Sequence, residues 1–287
     1  MALQRLRPLL HLALGGEATG DGPDRGIYPD DTAAARGNGD HGAHGGGAVT
    51  TLTAERRDDL AAFQEPLVRR AAFELEGAPA KEILRWALDR WHPRMALTAS
   101  MADTVLIDMA ASLRPGIPVI FLDTGYHFAE TLGTRDAVAW RYDVQLLNIT
   151  PKSSVREQDD LFGPRLHDRD PDACCRMRKV QPLEDALRPF DAWASGARRD
   201  EAASRKRLRV IEWDDARGLV KVNPLATWSD DDVDVYIREH DVLVNPLLSD
   251  GYPSIGCAPC TRRVAPGADP RSGRWAGTGK IECGLHA

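Results

Sequence analysis

The sequence predicts an α/β fold, a parallel sheet with helices on both of its faces. Short apolar runs alternate along the chain with helical periods of ten or more residues, the pattern of successive strand-helix-strand units. The runs end in turn-forming stretches such as "TASMAD" and "LDTGYH". The chain of 287 residues is 43% hydrophobic, enough to bury a large core.

Residues 1–52 stand outside this pattern. The first 50 hold 11 of the 25 glycines and show no apolar period. Such a segment buries too little surface to offset its ordering entropy, so a disordered tail is expected. His41 and His44 within it read as part of a solvated tail rather than a metal tract. The opening "MALQRLRPLLHLALGG" has the outline of a signal peptide, but Arg5, Arg7 and His11 break its apolar stretch.

The α/β unit is expected over residues 53–245. Leu60, Phe63 and Leu67, then Ile83, Leu84 and Leu88, recur at helical spacing and predict two amphipathic helices. "MALTAS" reads as a buried strand, and Val105, Leu106, Met109 and Leu113 mark the face of the helix after it. "IPVIFLDTG" is a second strand, Ala129 to Trp140 a helix, and "VQLLNIT" a third strand. A basic helix is expected after Cys175, then a strand in "DAWASGARR". "WSDDDVDVYIREH" is a helix with Ser229 as its N-cap and acids in its first turn. Residues 246–287, rich in Gly, Pro and Arg, form an irregular C-terminal segment of the same domain that something else must hold.

Charge and thiols narrow the function. A net charge of −6 argues against a nucleic-acid or anionic-membrane partner, which a basic field would draw in. No run nears the roughly 18 apolar residues of a membrane span, so a soluble protein is expected. Five cysteines in a chain this long favour free thiols or metal ligation in a reducing cytoplasm.

In a parallel sheet, ligands sit beyond the carboxyl ends of the strands, which places "TASMAD" and "LDTGYH" at a small-molecule site, with Asp103 as a helix cap in the plainer reading. Cys174 and Cys175 are adjacent, and Cys257 and Cys260 form a C-x-x-C. Four thiolates satisfy either a tetrahedral zinc or a four-iron cluster; an adjacent pair, which must splay its side chains, leans towards the larger group. Cys283 is left over, followed by a flexible Gly284 and a nearby His286 able to favour a thiolate. Three basic runs, "CCRMRK", "GARRDEAASRKR" and "TRRVAPGADPRSGR", point to an electropositive pocket for phosphate or sulfate, with Lys179 offsetting thiolate charge.

The ordered block "LDTGYHFAET", "CCRMRK", "SGARR", "GYPSIGCAPCTRR", "DPRSGRWAG" and "ECGLH" closely resembles the assimilatory adenylyl-sulfate reductases, especially their actinobacterial branch. The resemblance covers residues 55 to 287. It implies an adenine nucleotide alpha hydrolase-like fold, with residues 53–245 as a nucleotide-binding reductase domain, and a [4Fe-4S] cluster on Cys174, Cys175, Cys257 and Cys260. It implies a cytoplasmic, thioredoxin-dependent reduction of adenosine 5'-phosphosulfate to sulfite and AMP, and leaves homo-oligomerisation open. Cys283 would be the nucleophile; Lys179, Arg205, Arg271, Arg274 and His286 would hold the phosphosulfate. Thr98, Ser100, Asp103, Leu122 and Gly196 would line the nucleotide end.

Two departures stand out. "TASMAD" replaces the glycine-rich S-x-S-G-G-x-D loop of many relatives, and Tyr126 stands where others carry Arg, which bears on ribose or adenine contacts. A reductase of the 3'-phosphorylated substrate shares the ending but typically lacks the four ligand cysteines. A cluster-bearing tRNA thiolation enzyme would show an intact pyrophosphatase loop and a more basic surface. In a zinc-stabilised binding module, Cys283 would be irrelevant.

Overall fold

The apolar runs at the centre of the sheet become strands because they are buried on both faces. The computed structural model describes residues 54–285, with the backbone alone for residues 54–63. The segment 1–52 with His41 and His44, and His286 at the other end, lie outside the described residues.

Six strands form one sheet in the order β3-β2-β1-β4-β6-β5. These are β1 (Met95–Thr98), β2 (Ile117–Leu122), β3 (Val144–Ile149), β4 (Ala192–Ser195), β5 (Ile211–Asp214) and β6 (Leu219–Val222). All neighbours pair in parallel except β5 with β6. The expected α/β class and the first four strands are therefore present. The antiparallel hairpin of β5 and β6 was not anticipated. Its signal is masked by charge: Glu212 faces Lys221 across the ladder, and their side chains pair at 3.0 Å with Lys221 buried.

Strand residues alternate between two cores, as a period of two requires. Met95, Leu97, Val119, Phe121, Ala192 and Ala194 join the larger, under α2 (Ala80–Trp91) and α3 (Val105–Leu113). Ala96, Ile120 and Trp193 join the smaller, under α8 (Gln181–Leu187). Helices thus cover both faces. In α2, Ile83, Leu84, Ala87, Leu88 and Trp91 are buried, the stripe its sequence spacing requires. In α1 (Ala54–Glu74) the buried face falls on Val68, Ala71 and Ala72, while Leu67 is exposed. Helix α9 (Asp230–His240) starts as expected: Ser229 accepts from the Asp232 amide and forms a capping box with that residue.

The switch in chain direction across the sheet falls between β1 and β4. Thr98 ends β1, Leu122 ends β2 and Gly196 follows β4, so these residues share the carboxyl edge of three adjacent strands.

Replacing Leu84, fully buried under the sheet, with Ala should cost about 2–5 kcal/mol in urea denaturation. Trp140→Ala, at a site 90% exposed, should stay within about 0.5 kcal/mol of the parent.

Candidate active site

The cysteine pair is delivered by a short helix. Pro171 starts α7 (Pro171–Cys175), Asp170 caps it by accepting from the Ala173 amide at 2.8 Å, and both cysteines are buried. The expected basic helix thus begins before the pair. A π-helical turn, Arg176–Val180, follows directly and leads into α8. Widened turns of this kind recur at functional sites.

The second pair is held against the loop after β2. The Ala258 amide donates to the Tyr126 carbonyl at 2.7 Å, and Thr124 Oγ1 lies 3.3 Å from Cys257 Sγ. The Thr261 hydroxyl donates to the Cys257 carbonyl, and the Trp275 amide to that of Cys260. The four cysteines line one cavity with Tyr126, Lys179 and Trp275, and none forms a disulfide. Tyr126 therefore belongs to the thiol cavity, so its departure from relatives bears on this cavity rather than on the expected ribose or adenine contacts.

Burial and mutual crowding make these thiols hard to ionise. Burial, then Cys175, Cys257 and Cys260, push Cys174 up to about 12; burial and Cys257 push Cys260 up to about 11. Four such sulfurs fit a cationic group, which makes each thiolate favourable. Among the described residues no three His, Cys, Asp or Glu side chains converge closely enough to hold a single metal ion.

Lys179 lies between this cavity and the tail. Burial alone would lower its pKa, but the sulfurs of Cys257, Cys283 and Cys175 outweigh it and hold the ammonium charged. Arg274 also feels the Cys283, Cys257 and Cys260 sulfurs, although burial and Arg271 lower its pKa. Its Nη1 donates to Ser254 Oγ and the Ile255 carbonyl, both at 3.2 Å; its buried Nε has no partner.

Cys283 is only partly buried and is not among the residues that line the cavity, although its charge reaches Cys175. Lys280 pairs with Asp172, and Leu285 packs against the smaller core. Gly284 takes φ +83°, a conformation that other residues adopt with strain. Between them Glu282 accepts from Arg205 Nε at 2.8 Å, Arg205 Nη2 at 3.0 Å, Ser204 Oγ at 3.0 Å and Arg271 Nη2 at 3.2 Å. Burial raises its pKa, but these arginines win and bring it down to about 2. The ion pairs thus stabilise the docked tail above the usual carboxylate range and fail only as pH falls through about 2.

At the nucleotide end, Thr98 Oγ1 donates to the Ala194 carbonyl at 3.3 Å, and Ser100 is exposed. Asp103 accepts from the Val105 amide at 3.1 Å just ahead of α3, whose N-cap is Thr104 rather than Asp103; burial and the Glu201 charge raise its pKa. The Leu122 carbonyl partners His127 Nε2 at 2.8 Å. His127 Nδ1 is buried without a partner, and burial lowers the ring's pKa and keeps it neutral.

Several cations of the basic runs are engaged by the protein itself. Arg178 is buried and donates to the Thr124 and Ser153 carbonyls and to Gln158, bracing the loop after β2. Gly125 there takes φ +73°, and a Cβ would lie 3.2 Å from Arg178 Nη2. Arg198 pairs with Asp230, and Arg199 with Glu76. Arg178, His127 and Glu282 carried no assigned role from sequence; only the acid beside the final cysteine gave a readable signal.

A family model for the phosphoadenosine phosphosulfate reductase domain matches residues 92–263. The chain belongs to the phosphoadenosine phosphosulfate reductase family. Among family members, adenosine 5'-phosphosulfate reductase of Streptomyces coelicolor is 54% identical over 235 residues, 82% of this chain and 100% of that protein. The Mycolicibacterium smegmatis enzyme of the same name is 53% identical over 238 residues, 83% and 99% of the two chains. The crystal structure of a phosphoadenylyl-sulfate reductase from Candida auris, a phosphate complex, aligns with a TM-score of 0.59 at 31% identity. It covers 74% of this chain and 98% of that one. The fold is accordingly adenine nucleotide alpha hydrolase-like.

A Cβ at Gly256 would fall 2.2 Å from Arg274 Nη2 and 2.5 Å from its Cζ. Gly256→Ala should therefore displace the Arg274 guanidinium and lower reductase activity about 100-fold. Gly133→Ala, with nothing near its Cβ, should leave activity unchanged. Steady-state rates beside thermal melts check both.

Proposed function

We propose that this enzyme reduces adenosine 5'-phosphosulfate to sulfite and AMP, with thioredoxin as the electron donor and Cys283 as the nucleophile. The observation that carries this reading is that Cys283 does not line the cavity shared by the four thiols but lies on a docked tail within the fields of Lys179 and Arg274. The relatives named adenosine 5'-phosphosulfate reductase match this chain over nearly their whole length.

The Cys283 thiolate attacks the sulfate sulfur. An S–S bond forms, the S–O bond to phosphate breaks, and AMP leaves with the electron pair. Lys179, Arg271 and Arg274, with Arg205 and His286, neutralise the phosphosulfate oxygens and the departing phosphate. The nucleotide lies across the carboxyl edge at Thr98, Ser100, Asp103, Leu122 and Gly196. One thioredoxin thiol then attacks Cys283 Sγ and expels sulfite; its second thiol resolves the mixed disulfide and frees Cys283. Two electrons pass from the dithiol to sulfur. A terminal cysteine suits this sequence because a tail that can move brings the thiolate to bound substrate and then presents the modified sulfur to a protein reductant.

Cys174, Cys175, Cys257 and Cys260 would hold a [4Fe-4S] cluster, which would supply the positive charge their thiolates need and tie residues 246–287 to α7. Unpaired thiols, with the proposed thioredoxin donor, support a cytoplasmic setting. Among the described residues no helix is long and apolar enough to cross a membrane. The three parts of the chain, 1–52, 53–245 and 246–287, are read as a tail, a reductase domain and that domain's C-terminal segment. The 3'-phosphorylated nucleotide is the competing substrate, favoured by the Candida auris likeness.

Protein purified without oxygen should be brown and carry about four iron and four sulfide per chain; a colourless protein with zinc would contradict the cluster. Cys283→Ser should keep the colour and yield no sulfite. Assays with both sulfonucleotides and thioredoxin should favour the form without the 3'-phosphate.

A further inference from the structure

The carboxylate beside the nucleophile occupies the arginines assigned to the substrate. All three donor positions of Arg205 are engaged by carboxylates: Nε and Nη2 by Glu282, and Nη1 by Glu201. Arg271 Nη2 is shared between Glu282 and the Ile281 carbonyl, at 3.2 and 2.9 Å. The side chains of Arg205, Arg271 and Glu282 are 11%, 16% and 20% exposed. Solvent therefore screens these contacts far less than it screens the surface pair Arg70–Glu74, at 78% and 52%.

We propose that Glu282 is an internal anion that fills the Arg205–Arg271 pair in the absence of substrate, so that an incoming anion and the docked tail compete for the same guanidinium groups. The inference rests on the functional reading above for the identity of that anion. Glu282 moves with Cys283, its immediate neighbour. Displacing the carboxylate therefore loosens the nucleophile's segment as the anion arrives, and loss of the anion lets the tail settle again. Competition of this kind is reciprocal: what weakens docking strengthens anion binding by the same factor. The latch also keeps two clustered, largely buried guanidinium groups neutralised between turnovers.

Glu282→Gln in the full chain keeps size and removes charge, and its place near the terminus leaves the core untouched. The first readout is carbamidomethylation of Cys283 by iodoacetamide, followed by peptide mass spectrometry. In the parent, inorganic sulfate should accelerate it several-fold over chloride at equal ionic strength. In Glu282→Gln it should be about five-fold or more faster without sulfate, and sulfate should add nothing. The second readout is equilibrium binding of adenosine 5'-phosphosulfate in a Cys283→Ser background, which prevents turnover. Adding Glu282→Gln should tighten binding by about five- to thirty-fold. Unchanged alkylation, a persisting sulfate effect in the variant, or equal or weaker substrate binding would each overturn the latch. If Cys283→Ser binds no sulfonucleotide, the functional reading fails, while the sulfate-dependent alkylation still decides the latch.

Discussion

Four buried thiols crowded around one cavity are the constraint from which the rest of the site follows. Left to themselves, these groups resist ionisation, because burial and their neighbours both oppose charge. Their ionisation becomes favourable when a cationic group is shared among them. Two of the thiols come from the chain just before α8 and two from the C-terminal segment, so that group would also fasten the segment to the fold. The protein contacts already run in this direction: the Tyr126 carbonyl and Thr124 hydroxyl meet the backbone and sulfur of the C-x-x-C.

Fixing the segment there sets the electrostatics of the tail. Lys179 sits in reach of Cys175 and Cys257 on one side and Cys283 on the other, with no carboxylate paired to it among the described residues. One ammonium thus serves both the cavity and the fifth thiol. Arg274, pressed against Gly256, adds a second cation whose Nε is still without a partner. Such a field suits chemistry that brings a thiolate to an anionic substrate, where repulsion is the first obstacle. Arg205 and Arg271 complete the ring of cations but are occupied by Glu282, which makes tail docking and anion capture two outcomes of one contact.

Much of this was legible in the sequence. Strands β1, β2 and β4 showed as apolar runs because both of their faces are buried, β3 showed through its half-buried apolar residues, and α9 announced itself through Ser229 and three acids. The C-x-x-C and the adjacent cysteines pointed to one shared site. The β5–β6 hairpin stayed hidden because Glu212 and Lys221 satisfy each other across the ladder, and single residues of either charge read as loop. Arg178 looked like part of an anion pocket; only the fold shows that its guanidinium is spent on carbonyls 25 and 54 positions away. The role of Glu282 depends on Arg205, 77 positions distant, and no local pattern reports that pair. His286 lies beyond the described residues, so its expected part at the phosphosulfate stands as proposed.

The central claim is a division of labour in which four cysteines share one cavity and the fifth alone reacts. It is tested most directly by incubating the anaerobic holoenzyme with adenosine 5'-phosphosulfate and no reductant, then locating the sulfonate adduct by peptide mass spectrometry. The account predicts the adduct on Cys283 and on no other cysteine. An adduct on Cys174, Cys175, Cys257 or Cys260, with Cys283 unmodified, would contradict it.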